Sequence, residues 1–158
     1  MWERAAASMT DRARAARFLA ASLLALPLLG NAPAAAPVEL QLTFDNLRDE
    51  RGLIQVCLTR SAKHFPDCGG DPAAIKRTVP ADTHSLRLIL PKEGSYALSV
   101  LHDANANGRV DKTLGIPREG FGFSRNPPIR FGPPKFESTL LDLGPGVTQE
   151  TVRMKYIL

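Results

Sequence analysis

Apolar and polar residues alternate along most of the chain beyond residue 37. Over residues 38–44 every second position is apolar, and Glu, Gln and Thr lie between these positions. A period of two is typical of a strand with one buried face. The same pattern, clear or weak, predicts further strands over residues 52–60, 73–79, 85–90, 96–101, 136–143 and 147–157.

Turn-forming residues separate these segments, and none of the segments carries apolar residues at helical spacing. Short strands at even spacing, joined by turns, predict an all-β fold, namely a single antiparallel β-sandwich of about seven strands. We expect one domain over residues 35–158, without an internal repeat.

The first 34 residues differ in composition from the rest. Arg12, Arg14 and Arg17 precede a largely apolar run over residues 18–29, and small residues follow. This order predicts a cleavable secretory signal over residues 1–34. The alternative is a membrane anchor, but the run is shorter than the ~20 residues that cross a bilayer. The sequence therefore predicts a periplasmic or secreted domain without a membrane span.

Net charge narrows the choice of partner. Residues 1–34 contain four Arg and two acidic residues, so their removal lowers the net charge from +4 to about +2. Nucleic-acid binding needs a clustered excess of Lys and Arg. We therefore expect no nucleic-acid partner, and a cell-envelope protein is the partner class that the predicted location allows.

The chain has two cysteines, Cys57 and Cys68. In an oxidising compartment such a pair predicts a disulfide. The alternative is a pair of metal-binding thiols, but the chain lacks the tight Cys-x-x-Cys spacing typical of zinc sites.

Polar oxygens, glycines and aromatics are concentrated in residues 102–124, which read HDANANGRVDKTLGIPREGFGFS. Calcium takes about six to eight oxygen ligands, and acids and amides at alternate positions before a glycine can supply them from one turn. The candidate ligands are the side chains of Asp103, Asn105, Asn107, Asp111 and Glu119 and the carbonyl of Arg109.

The match to a calcium loop is incomplete. The twelfth position, where helical calcium loops have a glutamate, is Leu114, so Glu119 would have to fold back. We expect weak affinity, with a dissociation constant of about 10⁻⁴–10⁻³ M. The alternative is a metal-free turn, because Asn107-Gly108 is itself a hairpin signal. Calcium is the one cofactor that the sequence suggests.

Phe121 and Phe123 stand two residues apart and therefore face the same side of a strand. They predict either a short strand that covers the core or a ligand platform flanked by Arg118, Arg125 and Arg130. The platform would make the chain a protein- or ligand-binding module.

Catalytic signatures are missing from the sequence. His102 and Asp103 are adjacent, and adjacent strand residues point to opposite faces, so the carboxylate cannot easily orient the imidazole. The chain contains no nucleophile elbow, zinc-protease motif or phosphate loop. We predict that it is not an enzyme.

The run HDxNxNGxxD, followed by GIPxEGxGFS and a proline-rich PPIRFGPPKFE, resembles the bacterial family catalogued as domain of unknown function 2141. The resemblance extends from about residue 38 to the C-terminus. It implies a small exported β-sandwich, like prealbumin or the carboxypeptidase regulatory domain, with no established activity. The recurrent positions of the family fall on His102, Asp103, Asn105, Asn107, Gly108, Asp111, Gly115, Pro117, Glu119, Gly120, Gly122 and Ser124.

Overall fold

The structure, a computed structural model, describes residues 35–130 and 132–158. The predicted signal over residues 1–34 lies outside the described residues. Among the described residues, no helix is long and apolar enough to cross a membrane.

The described chain is mostly β-structure, with two 3₁₀-helices of three and four residues at Ala62–His64 and Phe136–Thr139. Its strands are β1 (Val38–Asp45), β2 (Leu53–Thr59), β3 (Ile75–Pro80), β4 (Ser85–Leu90), β5 (Gly94–Asp103), β6 (Lys112–Thr113), β7 (Ile116–Pro117), β8 (Gly120–Phe123), β9 (Leu140–Leu143) and β10 (Gly146–Arg153).

These strands form two larger sheets and one small hairpin. The first sheet has the order β10-β1-β4, and the second has the order β3-β2-β5-β8, with β9 also paired to β5. Strands β6 and β7 pair only with each other. Most pairings are antiparallel, as the sequence predicts, but β1 and β10 run parallel.

One hydrophobic core takes side chains from both larger sheets. The alternation read from the sequence sets the buried face of each strand: Leu40 and Leu42 of β1, and Ile54 and Leu58 of β2, are at most 1% exposed. The remaining buried apolar residues of the core are Phe44, Val56, Ala81, Leu88, Leu90, Tyr96, Leu98, Val100, Leu143, Val152 and Met154.

The disulfide predicted between Cys57 and Cys68 is present, with 5.9 Å between the two Cα atoms. It ties the loop after β2 to the outer face of the second sheet. Phe65 from this loop packs on Phe123 of β8, with 5.7 Å between ring centroids. The loop therefore forms a wall above that face.

Several predicted strand boundaries differ in the structure, and the last strand, predicted over residues 147–157, ends at Arg153. The segment predicted as a strand from residue 136 begins as the 3₁₀-helix Phe136–Thr139, and only Leu140–Leu143 is a strand. The strand predicted from residue 73 begins at Ile75. Strands β6 and β7 were not predicted, because two-residue strands are too short to produce an alternating pattern, whereas β8 corresponds to the short strand considered for Phe121 and Phe123.

Candidate functional site

The polar loop begins where β5 ends, at Asp103, whose side chain is fully buried. Its carboxylate accepts hydrogen bonds from the Gln55 amide at 2.8 Å and from the backbone N–H groups of Asn107 at 3.1 Å and Gly108 at 2.7 Å. Its carbonyl accepts the N–H of Ala106 at 3.2 Å. The Asp103 side chain thus holds the start of the loop against β2. Burial of its charge is tolerated because N–H groups donate hydrogen bonds to the carboxylate.

A second group of contacts closes the loop on Asp111. The side-chain amides of Asn105 and Asn107 both donate to Asp111 Oδ2, at 2.6 and 3.0 Å. These amide donors hold the pKa of Asp111 below its usual value, so the group is charged at neutral pH. Both Asn oxygens accept backbone N–H groups within the loop, of Asn107 and Arg109 respectively. This arrangement is a closed Asn-rich turn.

The hairpin of β6 and β7 returns the chain so that Glu119 lies beside Asp111. The N–H of Asp111 donates to Glu119 Oε2 at 3.1 Å, and the N–H of Arg118 donates to the Asp111 carbonyl at 2.9 Å. Glu119 therefore folds back to the loop, as the cation hypothesis requires. Its carboxyl is 6% exposed, and its Oε1 is the one buried side-chain oxygen or nitrogen of the described residues without a hydrogen-bond partner.

Glu119 adjoins two other carboxylates. Burial raises the pKa of Glu119 above its ordinary value of 4.5, against the opposing effect of the Asp111 N–H. The charges of Asp103 and Asp111, and a hydrogen bond that the protonated Glu119 carboxyl can donate to Asp103, raise this pKa further. A buried carboxylate beside like charges is costly unless a proton or a cation neutralises it. The site therefore favours uptake of positive charge at Glu119.

This position predicts a pH dependence of stability without calcium. The pKa of Glu119 is higher in the folded chain than in the unfolded chain. The protonated carboxyl therefore contributes its full stabilisation below pH 4.5, and this stabilisation is lost as the pH rises through the raised pKa. We expect the difference in unfolding free energy between Glu119→Gln and the wild type, measured by urea denaturation in EDTA, to increase with pH across this window. A difference that is constant with pH would contradict the burial of a charged Glu119.

The residues considered for catalysis do not meet. Both ring nitrogens of the buried His102 are occupied, by the Tyr156 hydroxyl at 2.8 Å and by the Arg51 carbonyl at 2.9 Å. The buried Ser124 hydroxyl bonds to the carbonyl of Thr139 and accepts the N–H of Leu98. His102, Asp103 and Ser124 thus each hold the backbone of a different region in place. That the chain is not an enzyme remains a prediction.

Phe121 and Phe123 lie on β8 and share the outer face of the second sheet with Leu101 and Ser99 of β5. They line a groove of about 520 Å³, which is bounded by the disulfide loop on one side and by residues 108–112 on the other. Phe123 is buried and Phe121 is half-buried, so this strand covers the core and contributes to a groove floor.

Of the three arginines predicted to flank the rings, Arg130 lines a separate cavity with Phe121, whereas Arg118 and Arg125 lie elsewhere. Arg118 lines a separate cavity of about 310 Å³ with Asp111 and Glu119. The N–H of Arg125 donates to Glu150 at 2.6 Å. The basic residues at the groove are Lys76, Arg77, Arg109 and Lys112.

A family model described as an uncharacterised protein conserved in bacteria, DUF2141, matches residues 42–151. The chain belongs to this family. The match spans the polar loop, the hairpin and both walls of the groove, and the description of the family names no activity. A search of curated proteins and a search of solved structures found no match.

In this DUF2141 chain, no three His, Cys, Asp or Glu side chains of the described residues are close enough to hold a metal by themselves. A cation at the loop must therefore also use amide or backbone oxygens. Of the candidate ligands, Asn105, Asn107 and Asp111 meet at one point, and Glu119 joins Asp111. Asp103 lies beneath them with both oxygens already bonded.

Sequence reasoning missed two residues of the DUF2141 site. Gln55 on β2 binds Asp103 across the sheet, and Tyr156 near the C-terminus binds His102. The paired residues are 48 and 54 positions apart in the sequence. The one local signal for Gln55 is that a polar residue stands at a half-buried strand position. No local signal identifies Tyr156.

Proposed function

We propose that this DUF2141 chain is an exported, non-enzymatic domain whose loop from Asp103 to Glu119 binds a divalent cation, with calcium the expected ion. Its role would be structural support or binding in the periplasm or outside the cell. The observation that carries the proposal is Glu119 Oε1, a buried and unpartnered carboxylate oxygen beside two further acids. Hard cations select such oxygens.

The donor set also explains why the expected affinity is low. Asp111 already accepts hydrogen bonds from the amides of Asn105 and Asn107, and both amides must rotate before their oxygens can face a cation. That rotation gives up the bonds that the same oxygens accept within the loop. A dissociation constant near 1 mM is consistent with this competition.

Two sheets around one hydrophobic core support a β-sandwich, which we propose to be of the prealbumin or carboxypeptidase regulatory-domain kind. Export is supported by the basic and apolar pattern of residues 1–34 and by the disulfide. Fractionation of cells that produce the full chain tests export, and retention in the cytoplasm would contradict it.

A calcium titration tests the cation proposal. At about 10 mM calcium, a dissociation constant near 1 mM gives about 1.4 kcal/mol, or about 3–5 °C in melting temperature. In EDTA at neutral pH, Glu119→Gln is expected to melt about 3 °C above the wild type, because it removes an unsatisfied buried charge. The same variant should lose the calcium response.

The matched control is Glu93→Gln, which removes an exposed acid far from the loop. This variant should keep the full calcium response and melt like the wild type. If calcium leaves the melting temperature of the wild type unchanged, or stabilises Glu119→Gln equally, the cation proposal is wrong.

A second candidate function is a ligand-binding module that uses the Phe121 and Phe123 face. The groove favours it, because an apolar floor with basic residues at its edge suits an anion with an apolar body. Anilinonaphthalene sulfonate is such a probe. Fluorescence enhancement that Lys112→Glu removes would support this function, and the absence of enhancement would count against it.

A further inference from the structure

The hairpin tip, defined here as residues 109–118, carries an unusual side chain at its turn. Strands β6 and β7 are joined by Leu114 and Gly115, both with positive φ, at 51° and 81°. Leu114 is 97% exposed. A two-residue turn of this kind strongly prefers Asn or Gly, so Leu114 is disfavoured both by its backbone conformation and by its exposure.

The exposed apolar surface extends beyond one residue. Val110 is 43% exposed and Ile116 is 39% exposed, so three large apolar side chains within seven residues face solvent. A single exposed apolar residue is ordinary, but a cluster of them marks an interaction site. A Cβ added at Gly115 would meet no atom within 4 Å, so no other part of the described chain packs on the turn at this position.

The charge exposed at the hairpin tip is positive. Arg109, Lys112 and Arg118 are exposed. The two acids of this region are less exposed: Asp111, which stays charged while it accepts the amides of Asn105 and Asn107, is half-buried, and Glu119 is buried. The tip therefore presents apolar side chains surrounded by cations.

We propose that the hairpin tip inserts into the surface of an anionic phospholipid membrane, with Leu114 entering the interface and the three basic residues contacting lipid phosphates. An exposed apolar turn suits a soft interface, and each exposed basic residue near an anionic leaflet adds attraction. The inference requires no bound cation, since it rests only on exposed residues of the hairpin.

Tryptophan fluorescence of the chain from residue 35 onward tests the insertion locally. This chain lacks the predicted signal, whose basic and apolar residues would themselves bind vesicles, and it lacks Trp2, the one tryptophan of the sequence, so Leu114→Trp reports from the turn alone. With vesicles of phosphatidylcholine and phosphatidylglycerol in EDTA, we expect a shift to shorter wavelength and protection from acrylamide. Vesicles of phosphatidylcholine alone should give a much smaller change. In the matched control, Ile89→Trp reports from another exposed position and should not change.

A second variant separates insertion from folding. Leu114→Asn suits the left-handed turn, so it should melt at or above the wild-type temperature while its partitioning to the mixed vesicles weakens about tenfold. An unchanged emission at position 114, an equal change at position 89, or wild-type partitioning of Leu114→Asn would overturn the inference. Since all these measurements are made in EDTA, their outcome is separate from that of the calcium titration.

Discussion

Gly52→Ala is expected to destabilise the domain by about 3 kcal/mol or more. A Cβ at this position would lie 2.1 Å from the Asp103 carbonyl oxygen and 2.6 Å from the carbonyl carbon of Ala104. These are backbone atoms at the base of the polar loop, so they cannot move aside without disturbing the end of β5. The residue also has a φ of +76°. Urea denaturation followed by circular dichroism measures the loss.

Two other glycines separate the clash from the backbone conformation. Gly108 has a similar φ of +78° but no atom within 4 Å of a new Cβ, so Gly108→Ala should cost about 1 kcal/mol. Gly144 has open space and no positive φ, so Gly144→Ala should change stability by less than about 0.5 kcal/mol. If Gly52→Ala costs no more than Gly108→Ala, the close approach of β2 to the loop is wrong.

Asp103→Ala is expected to cost about 3 kcal/mol or more and to loosen the loop. The substitution removes the acceptor of the Gln55 amide and of the Gly108 N–H, whereas the Asn107 N–H keeps the Asn105 oxygen as an acceptor. The Gln55 amide is half-buried, and an unsatisfied donor there costs more than a merely absent bond. Chemical denaturation measures the energy, and amide hydrogen exchange at Asn107 and Gly108 reports directly on the loop.

Asp82→Ala is the control for this substitution, because Asp82 is an exposed acid outside the loop. It should leave both stability and the exchange of the two loop amides unchanged. Slow exchange of the Gly108 amide in Asp103→Ala would contradict the anchoring role of this carboxylate. The calcium response should also be lost in Asp103→Ala, since the loop would no longer hold Asp111 and Glu119 together.

Gly52→Ala and Asp103→Ala affect the same junction, where the start of β2 lies beside the end of β5. Gly52 precedes β2, and Asp103 ends β5, which is the neighbour of β2 in the second sheet. Because Gly52 has no side chain, the chain can pass close to the start of the loop. The carboxylate of Asp103 then binds Gln55 on β2, the strand that follows Gly52. The position of the candidate site is therefore set by the pairing of β2 with β5.

Local patterns in the sequence determined the larger strands. Leu40, Leu42 and Phe44 alternate with polar residues and are buried, as the period of two predicts. The same alternation placed Cys57 on the outer face of β2, where it meets Cys68. These predictions hold because the burial of a strand face depends on neighbours two residues apart in the chain.

Other features were not predictable because they depend on contacts between distant segments. The parallel pairing of β1 with β10 joins the two ends of the described domain, and no local pattern specifies it. Gly122 reads as a flexible residue, yet a Cβ there would lie 2.5 Å from Val152 on β10. The sequence likewise suggested three arginines beside Phe121. Of these, Arg130 shares a cavity with that ring, and the register of β3, β2 and β5 places Lys76 at the groove.

The sequence by itself determined that residues 102–124 form a polar, glycine-rich loop at the end of a strand, and it identified every acid and amide there. Only the tertiary structure decided which oxygens are already bonded. In the folded chain the Asp103 carboxylate accepts hydrogen bonds from the Gln55 amide and from two backbone N–H groups, whereas Glu119 Oε1 is buried without a hydrogen-bond partner. The physical reason is that residue type fixes how many hydrogen bonds a side chain can make, whereas chain packing fixes which of them it makes.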